Sequence, residues 1–235
     1  MAVTIARSGV LSLGADAVVL ALEMTGSAAA CPAGEELLRA GGEKLAAALN
    51  EAKFVAVGHA AELPESGLPA AHLLLTATPR YLTGKANELL ILGRCYEAVF
   101  SLAEKLGCRS IALPFLSTFY YRFPQSEAVE IARRAAEKTP LEVFLCAETD
   151  ALYDLARQPY QKPQIVSYFG YYRDCAVFTL SNGLFARVDL RPERVFADVV
   201  PYVEACYQRG NDPAQQPLPE AEIARLRRIY EESGL

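Results

Sequence analysis

Hydrophobic positions in this chain alternate between short unbroken runs and longer stretches with helical spacing. Residues 17–22 (AVVLAL), 110–116 (SIALPFL) and 141–146 (LEVFLC) are apolar runs too short for a free-standing helix, and they predict strands inside a sheet. Residues 53–57 and 72–76 are further strand candidates on either side of the turn-rich ELPESGLPAA, and residues 3–5 read as a short edge strand. Between the runs, Leu37, Leu38, Leu45 and Leu49 recur on one helical face over 35–49, with Gly41-Gly42 placed to break that helix in two. Leu89, Leu92, Tyr96, Val99, Phe100 and Ala103 recur near a 3.6 period, so 89–106 predicts a helix that Gly107 ends. Residues 126–138 and 150–156 predict two more. Strands alternating with helices imply an α/β fold.

The pattern changes after PYQKP at 159–163, which reads as a linker between a first unit over 1–158 and a second over 159–235. Aromatic and β-branched segments at 167–174, 176–180 and 184–190 follow, with Ser181-Asn182-Gly183 as a hairpin signal. Helical patterns at 192–209 and 219–233 complete a small α+β region. Tyr168, Tyr171 and Tyr172 read as core or interface, with a lid over the first unit as the other use for such rings.

The segment after the run at 110–116 is the prime candidate for chemistry. Ser117, Thr118, Phe119, Tyr120, Tyr121 and Arg122 form a loop between a strand and a helix, where unpaired amides and the positive end of the helix dipole favour anions. The aromatic rings can stack on a base or sugar, and the Arg122 guanidinium matches phosphate oxygens. The competing reading is a loop packed on itself or a protein-contact patch. Glu23, at the end of the 17–22 strand, is the candidate general base, against the plainer reading of a solvated or ion-paired carboxylate.

Composition narrows the choices. The chain has 235 residues, 52% hydrophobic and 22% charged, the profile of a globular protein with a sizeable core. A net charge of -5 argues against nucleic acid as a partner. Six scattered cysteines without a Cys-x-x-Cys pair, and two histidines (His59 and His72) without metal-ligand spacing, predict no metal site. The absence of Gly-x-Gly-x-x-Gly, P-loop and Gly-x-Ser-x-Gly patterns predicts no cofactor and excludes those reaction classes. No leader pattern opens the chain and no apolar run is long enough to cross a bilayer, so a cytoplasmic protein without a membrane partner is expected.

ADAVVLAL at 15–22, the small-residue loop and helix leading to Arg39-Ala40-Gly41, Leu68-Pro69-Ala70, Thr76-Ala77-Thr78-Pro79, Cys95-Tyr96 and Ser117-Thr118 follow one another along the chain. In this order they resemble a macro domain. The resemblance covers roughly the first two-thirds of the chain. It implies a three-layer α/β/α domain with a mixed central sheet, and a cleft for ADP-ribose or a related nucleotide, free or attached to protein. By the same resemblance Ala29, Ala30 and Gly34 occupy the glycine-rich loop that lies on the diphosphate. The chain departs from the family pattern at several places. Leu20 and Glu23 stand where the family's asparagines stand, and Gly9 lies nearest the adenine-contacting aspartate. Phe119 and Arg122 replace two glycines of the second loop. Three functions follow from the resemblance: a binding module for ADP-ribose or an ADP-ribosylated protein, an ADP-ribosyl hydrolase using Glu23, or a divergent scaffold for protein association. Self-association into a homo-oligomer stays open.

Overall fold

The computed structural model describes residues 2–81, 88–119, 123–172, 175–182, 185–189, 198–200 and 218–232. The chain divides into two compact units, the first made of Met1–Tyr81 and Glu88–Tyr160 and the second containing Gln161–Leu235.

The first unit is built on six strands: β1 (Val3–Ala6), β2 (Ala17–Leu22), β3 (Ala60–Leu63), β4 (His72–Ala77), β5 (Ser110–Pro114) and β6 (Glu142–Cys146). Their order across the sheet is β1-β6-β5-β2-β4-β3. All neighbours are parallel except β3, which runs antiparallel to β4 at the edge, so the sheet is mixed. Every residue of β2 is buried, as an apolar run covered on both faces must be. The helices are α1 (Pro32–Glu51), α2 (Glu88–Lys105), α3 (Gln125–Ala136) and α4 (Asp150–Arg157), and a single 3₁₀ turn spans Val10–Leu13. They flank the sheet in a three-layer α/β/α arrangement. Leu37 and Leu45 of α1 and Leu92, Tyr96, Val99 and Phe100 of α2 enter the main core. Gly42 has φ 53 and ψ -142, which interrupts α1 where the glycine pair predicts a break.

One edge differs from the sequence expectation. Residues 53–57 form no strand; only Val57 bridges to Ala77. Gly58 (φ 83) turns the chain back, and Ala60–Leu63 takes the free edge of β4 instead. The Thr76 hydroxyl fixes that turn by donating to the His59 carbonyl at 2.8 Å.

In the second unit β7 (Ile165–Tyr172), β8 (Cys175–Leu180), β9 (Phe185–Asp189) and β10 (Asp198–Val200) form an antiparallel sheet in the order β10-β9-β8-β7. Ala176, Phe178, Leu180, Ala186 and Val188 alternate onto one face, where Leu226 and Tyr230 of α5 (Glu220–Glu232) cover them. Tyr168 meets Phe178 edge-on at 5.7 Å. The Tyr230 hydroxyl donates to the Pro163 carbonyl at 2.7 Å, tying α5 to the segment before β7. β8 and β9 pair as the Ser181-Asn182-Gly183 signal implies, although Gly183 itself lies outside the described residues. The helix expected over 192–209 is replaced by strand at Asp198–Val200, which the edge of β9 pairs; the rest of that stretch also lies outside the described residues.

Asp16 aligns the starts of three parallel strands. Its Oδ2 accepts the Arg109 amide at 2.7 Å and the Ser110 amide at 3.2 Å, its own amide donates to Ser110 Oγ at 2.9 Å, and its carbonyl accepts from His72 N at 3.1 Å. Those bonds, the Arg109 amide foremost, hold its carboxyl below the ordinary carboxylate range. A lowered folded-state pKa contributes stability above the unfolded value near ~4, and that contribution is lost as pH falls through the folded value. Because the side chain is partly exposed, Asp16→Asn should cost under about 1 kcal/mol at pH 7. Urea midpoints of variant and parent, separated at pH 7, should draw together as pH falls through the folded value.

Candidate functional site

The C-terminal ends of β2, β4 and β5 are tied together by hydrogen bonds. Thr78, just past β4, donates both its amide (3.0 Å) and its hydroxyl (3.3 Å) to the Leu22 carbonyl at the end of β2. Cys95 of α2 donates its thiol to the Ala77 carbonyl at 3.4 Å. The neighbouring Tyr96 is fully buried, and its hydroxyl accepts the Leu116 amide at 2.7 Å. Burial holds that hydroxyl well above the usual phenol range, so it stays neutral. The Cys95-Tyr96 pair thus fastens two strand ends from one turn of helix.

Beyond Leu116 the chain turns through Ser117, a non-glycine residue at φ 64. Ser117 Oγ donates to the Pro79 carbonyl at 3.0 Å, and Thr118 Oγ1 donates to the Phe115 carbonyl at 2.8 Å. Both residues are buried, whereas Phe119 is 52% exposed. Tyr120, Tyr121 and Arg122 lie outside the described residues. The loop rejoins the core at Phe123, whose ring packs 5.2 Å from that of Tyr81.

On the opposite side, the segment after β2 is a tight turn rather than an open loop. Glu23 N donates to Ser27 O at 2.7 Å and Ala29 N to Ala21 O at 2.9 Å, folding Ala28 and Ala29 back along the strand. Cys31 then caps α1, its Sγ accepting the Gly34 amide at 3.4 Å. Gly34 is buried, and a Cβ there would come 2.5 Å from the Ala29 carbonyl oxygen, so its smallness serves the packing of this turn. Ala30 is exposed.

A cavity of about 20 Å³ lies between the two segments, walled by Ala29, Cys31, Thr78, Ser117, Phe119 and Glu148 among others. That is room for about one water molecule. Three of the sequence-derived candidates therefore meet in this wall: Ala29, Ser117 and Phe119. Glu23 sits in the turn and is not among those wall residues. The carboxylate in the wall is Glu148, two residues past β6, which sequence reasoning passed over. Its position beyond the carboxyl end of a parallel strand was the available signal.

Glu148 Oε1 accepts the Ala33 amide in the first turn of α1 at 3.0 Å, and the Cys31 thiol donates to the same carboxylate. Burial nonetheless raises the Glu148 carboxyl above its ordinary range against the pull of those two donors. The Cys31 thiol is pushed up to about 12, chiefly by burial and then by the Glu148 charge, so it is a hydrogen-bond donor and not a thiolate nucleophile. Across α1, the Glu36 carboxylate accepts the amides of Val10 (3.0 Å) and Leu11 (3.3 Å). Among the described residues no group of three His, Cys, Asp or Glu could hold a metal ion, and no helix is long and apolar enough to cross a membrane.

An α/β sheet with a cavity at the carboxyl ends of its parallel strands belongs to the class of open sheets, in which that end is the usual place for a ligand. The comparisons with known proteins are narrower. The Macro domain family model matches residues 28–132. A macro domain-containing protein of Ralstonia nicotianae is 33% identical over 124 residues, which are 50% of this chain and 72% of that protein. An O-acetyl-ADP-ribose deacetylase of Klebsiella pneumoniae is 36% identical over 105 residues, 41% of this chain and 60% of that enzyme. The Trypanosoma brucei macrodomain, solved in complex with ADP-ribose, superposes with a TM-score of 0.57 at 24% identity, covering 66% of this chain and 67% of that one. The chain belongs to the macro domain family; residues 133–235 lie outside the matched model.

The Tyr96 bond yields a test of this frame. Tyr96→Phe keeps the ring but leaves the buried Leu116 amide without its acceptor, a loss of about 1–3 kcal/mol. Hydrogen exchange should show the Leu116 amide losing protection more than the centre of β5 does.

Proposed function

We propose that the cleft between the Ala29–Cys31 turn and the Ser117–Phe123 loop binds ADP-ribose or a related nucleotide, free or linked to protein. Membership of the macro domain family carries this reading, together with the Tyr96 bond that presents Ser117 at the end of β5. The cavity is too small to hold a nucleotide, so the diphosphate would lie across its mouth, against Ala29, Ala30, Ser117 and Thr118. Gly34 would act from beneath by letting the turn close on α1. Phe119, half exposed at the mouth, would contact a base or sugar face; from the sequence, Tyr120 and Tyr121 would share that role and Arg122 would pair with a phosphate oxygen. The parallel-strand ends and the helix that follows the loop favour an anion here. The first unit would be the nucleotide-binding domain and the α+β region after it a separate extension.

Deacetylase names among the relatives favour a second reading, hydrolysis at an ADP-ribosyl group with Glu23 positioning water. It asks more of the site, because Leu20 is buried in β2 where the family pattern has an asparagine.

Calorimetric titration with ADP-ribose should give micromolar affinity. Phe119→Ala and Arg122→Ala should each weaken it about tenfold, in line with one stacking contact or one charge-assisted hydrogen bond. Absence of heat from the parent protein would leave only the protein-association reading. If product also forms, Glu23→Gln should abolish turnover and keep the affinity.

A further inference from the structure

The nucleotide-binding reading leaves a physical conflict at the floor of the cleft, and the inference that follows rests on that reading. Glu148 places a carboxylate in the same cavity wall as Ser117 and Phe119, on the Ala33 amide at the start of α1. None of the described wall residues carries a positive charge. A diphosphate lying across this mouth would bring a second anion against that carboxylate. Two such groups in contact do not both stay ionised; they share a proton, as paired carboxylates do.

We propose that Glu148 enters the complex as the neutral acid and donates a hydrogen bond to a phosphate oxygen, so that capture of the ligand takes up one proton from solvent. The carboxyl keeps its Ala33 bond through one oxygen and turns its O–H towards the ligand. Glu148 is then a specificity residue: it admits a phosphate diester that accepts a hydrogen bond and works against groups of higher charge.

The surroundings of Glu148 point the same way. The titratable groups that act on it or on its neighbours are the Cys31 thiol at the start of α1, the Cys146 thiol at the end of β6, the Tyr96 phenol of α2 and the Glu36 carboxylate of α1. The three thiol and phenol groups are all pushed up by burial, to about 12 for each cysteine and higher for Tyr96, so none supplies a positive charge or titrates near neutrality. Burial already lifts Glu148 above the ordinary range before a ligand arrives. ADP-ribose has no secondary phosphate ionisation in the neutral range, so a proton taken up on binding must settle on the protein.

The test is titration of the full chain with ADP-ribose between pH 6 and 8, in pairs of buffers differing in ionisation enthalpy. The parent protein should take up close to one proton at pH 7.5, its dissociation constant falling up to tenfold for each unit the pH is lowered. Glu148→Gln, which keeps an acceptor for Ala33 and offers a permanent N–H donor, should bind without proton uptake, with a flat pH profile and at least threefold tighter than the parent at pH 7.5. Binding by the parent with no proton uptake overturns the role of Glu148 and leaves the nucleotide reading standing. Uptake that persists in Glu148→Gln overturns it too. Absence of binding by both proteins at pH 6 and at pH 7.5 overturns the nucleotide reading and this inference together.

Discussion

The second loop begins where it does because one buried hydroxyl accepts one buried amide. Leu116, two residues past the end of β5, is buried, and its N–H is directed at the buried Tyr96 hydroxyl. Without an acceptor there, ending β5 and turning at Ser117 would strand a polar group in the core. Tyr96 supplies the acceptor from α2, and full burial makes its position specific: an adjacent turn of helix would present a different side chain. The turn at Ser117 then occurs in a region of backbone space that side chains rarely adopt, where structure around a residue must hold it. The bond to the Pro79 carbonyl and the Thr118 bond to Phe115 provide that restraint.

That constraint extends sideways because the strands beneath the cleft are parallel and adjacent. Thr78 ties β4 to β2, Cys95 ties α2 to β4, and Ser117 ties the second loop to the residue after Thr78. A shift of any one strand end would therefore be transmitted to the cleft. The same logic accounts for the first loop. With small residues but few glycines after β2, the chain closes a short turn by main-chain bonds between Glu23 and Ser27 and between Ala29 and Ala21. Those amides are consumed within the fold, and Glu148 is the one charged side chain among the described wall residues.

Much of this was legible from spacing alone. Unbroken apolar runs marked β2, β5 and β6, the 3.6 period marked α2, and the glycine pair marked the break in α1. The Cys95-Tyr96 and Thr78-Pro79 pieces were visible as a resemblance, but their work was not, since it consists of bonds between residues 18 to 56 positions apart. Glu148 was hidden for a related reason. In sequence it follows an ordinary strand by two residues; only the parallel pairing of β5 with β6 and the packing of Cys31 on the same spot bring it to the cleft. Ala60–Leu63 was hidden because edge pairing depends on which segment the Gly58 turn delivers to β4, and the FVAV pattern before that turn was the more strand-like of the two.

Gly9 shows how a departure from a family pattern can be structural rather than a simple loss. A Cβ at this position would lie 2.3 Å from both carboxylate oxygens of Glu36, so an aspartate cannot stand here while Glu36 keeps its place. Glu36 in turn accepts the Val10 and Leu11 amides, the first donors of the 3₁₀ turn, which would otherwise face the core beside a fully buried Val10. The missing side chain at Gly9 leaves room for the Glu36 carboxylate. Since Glu36 and Glu148 both raise the Cys146 thiol, the two acids belong to one electrostatic neighbourhood at the start of α1. An aspartate placed at Gly9 would set two carboxylates against each other, so the acidic character of this corner depends on Gly9 and Glu36 together.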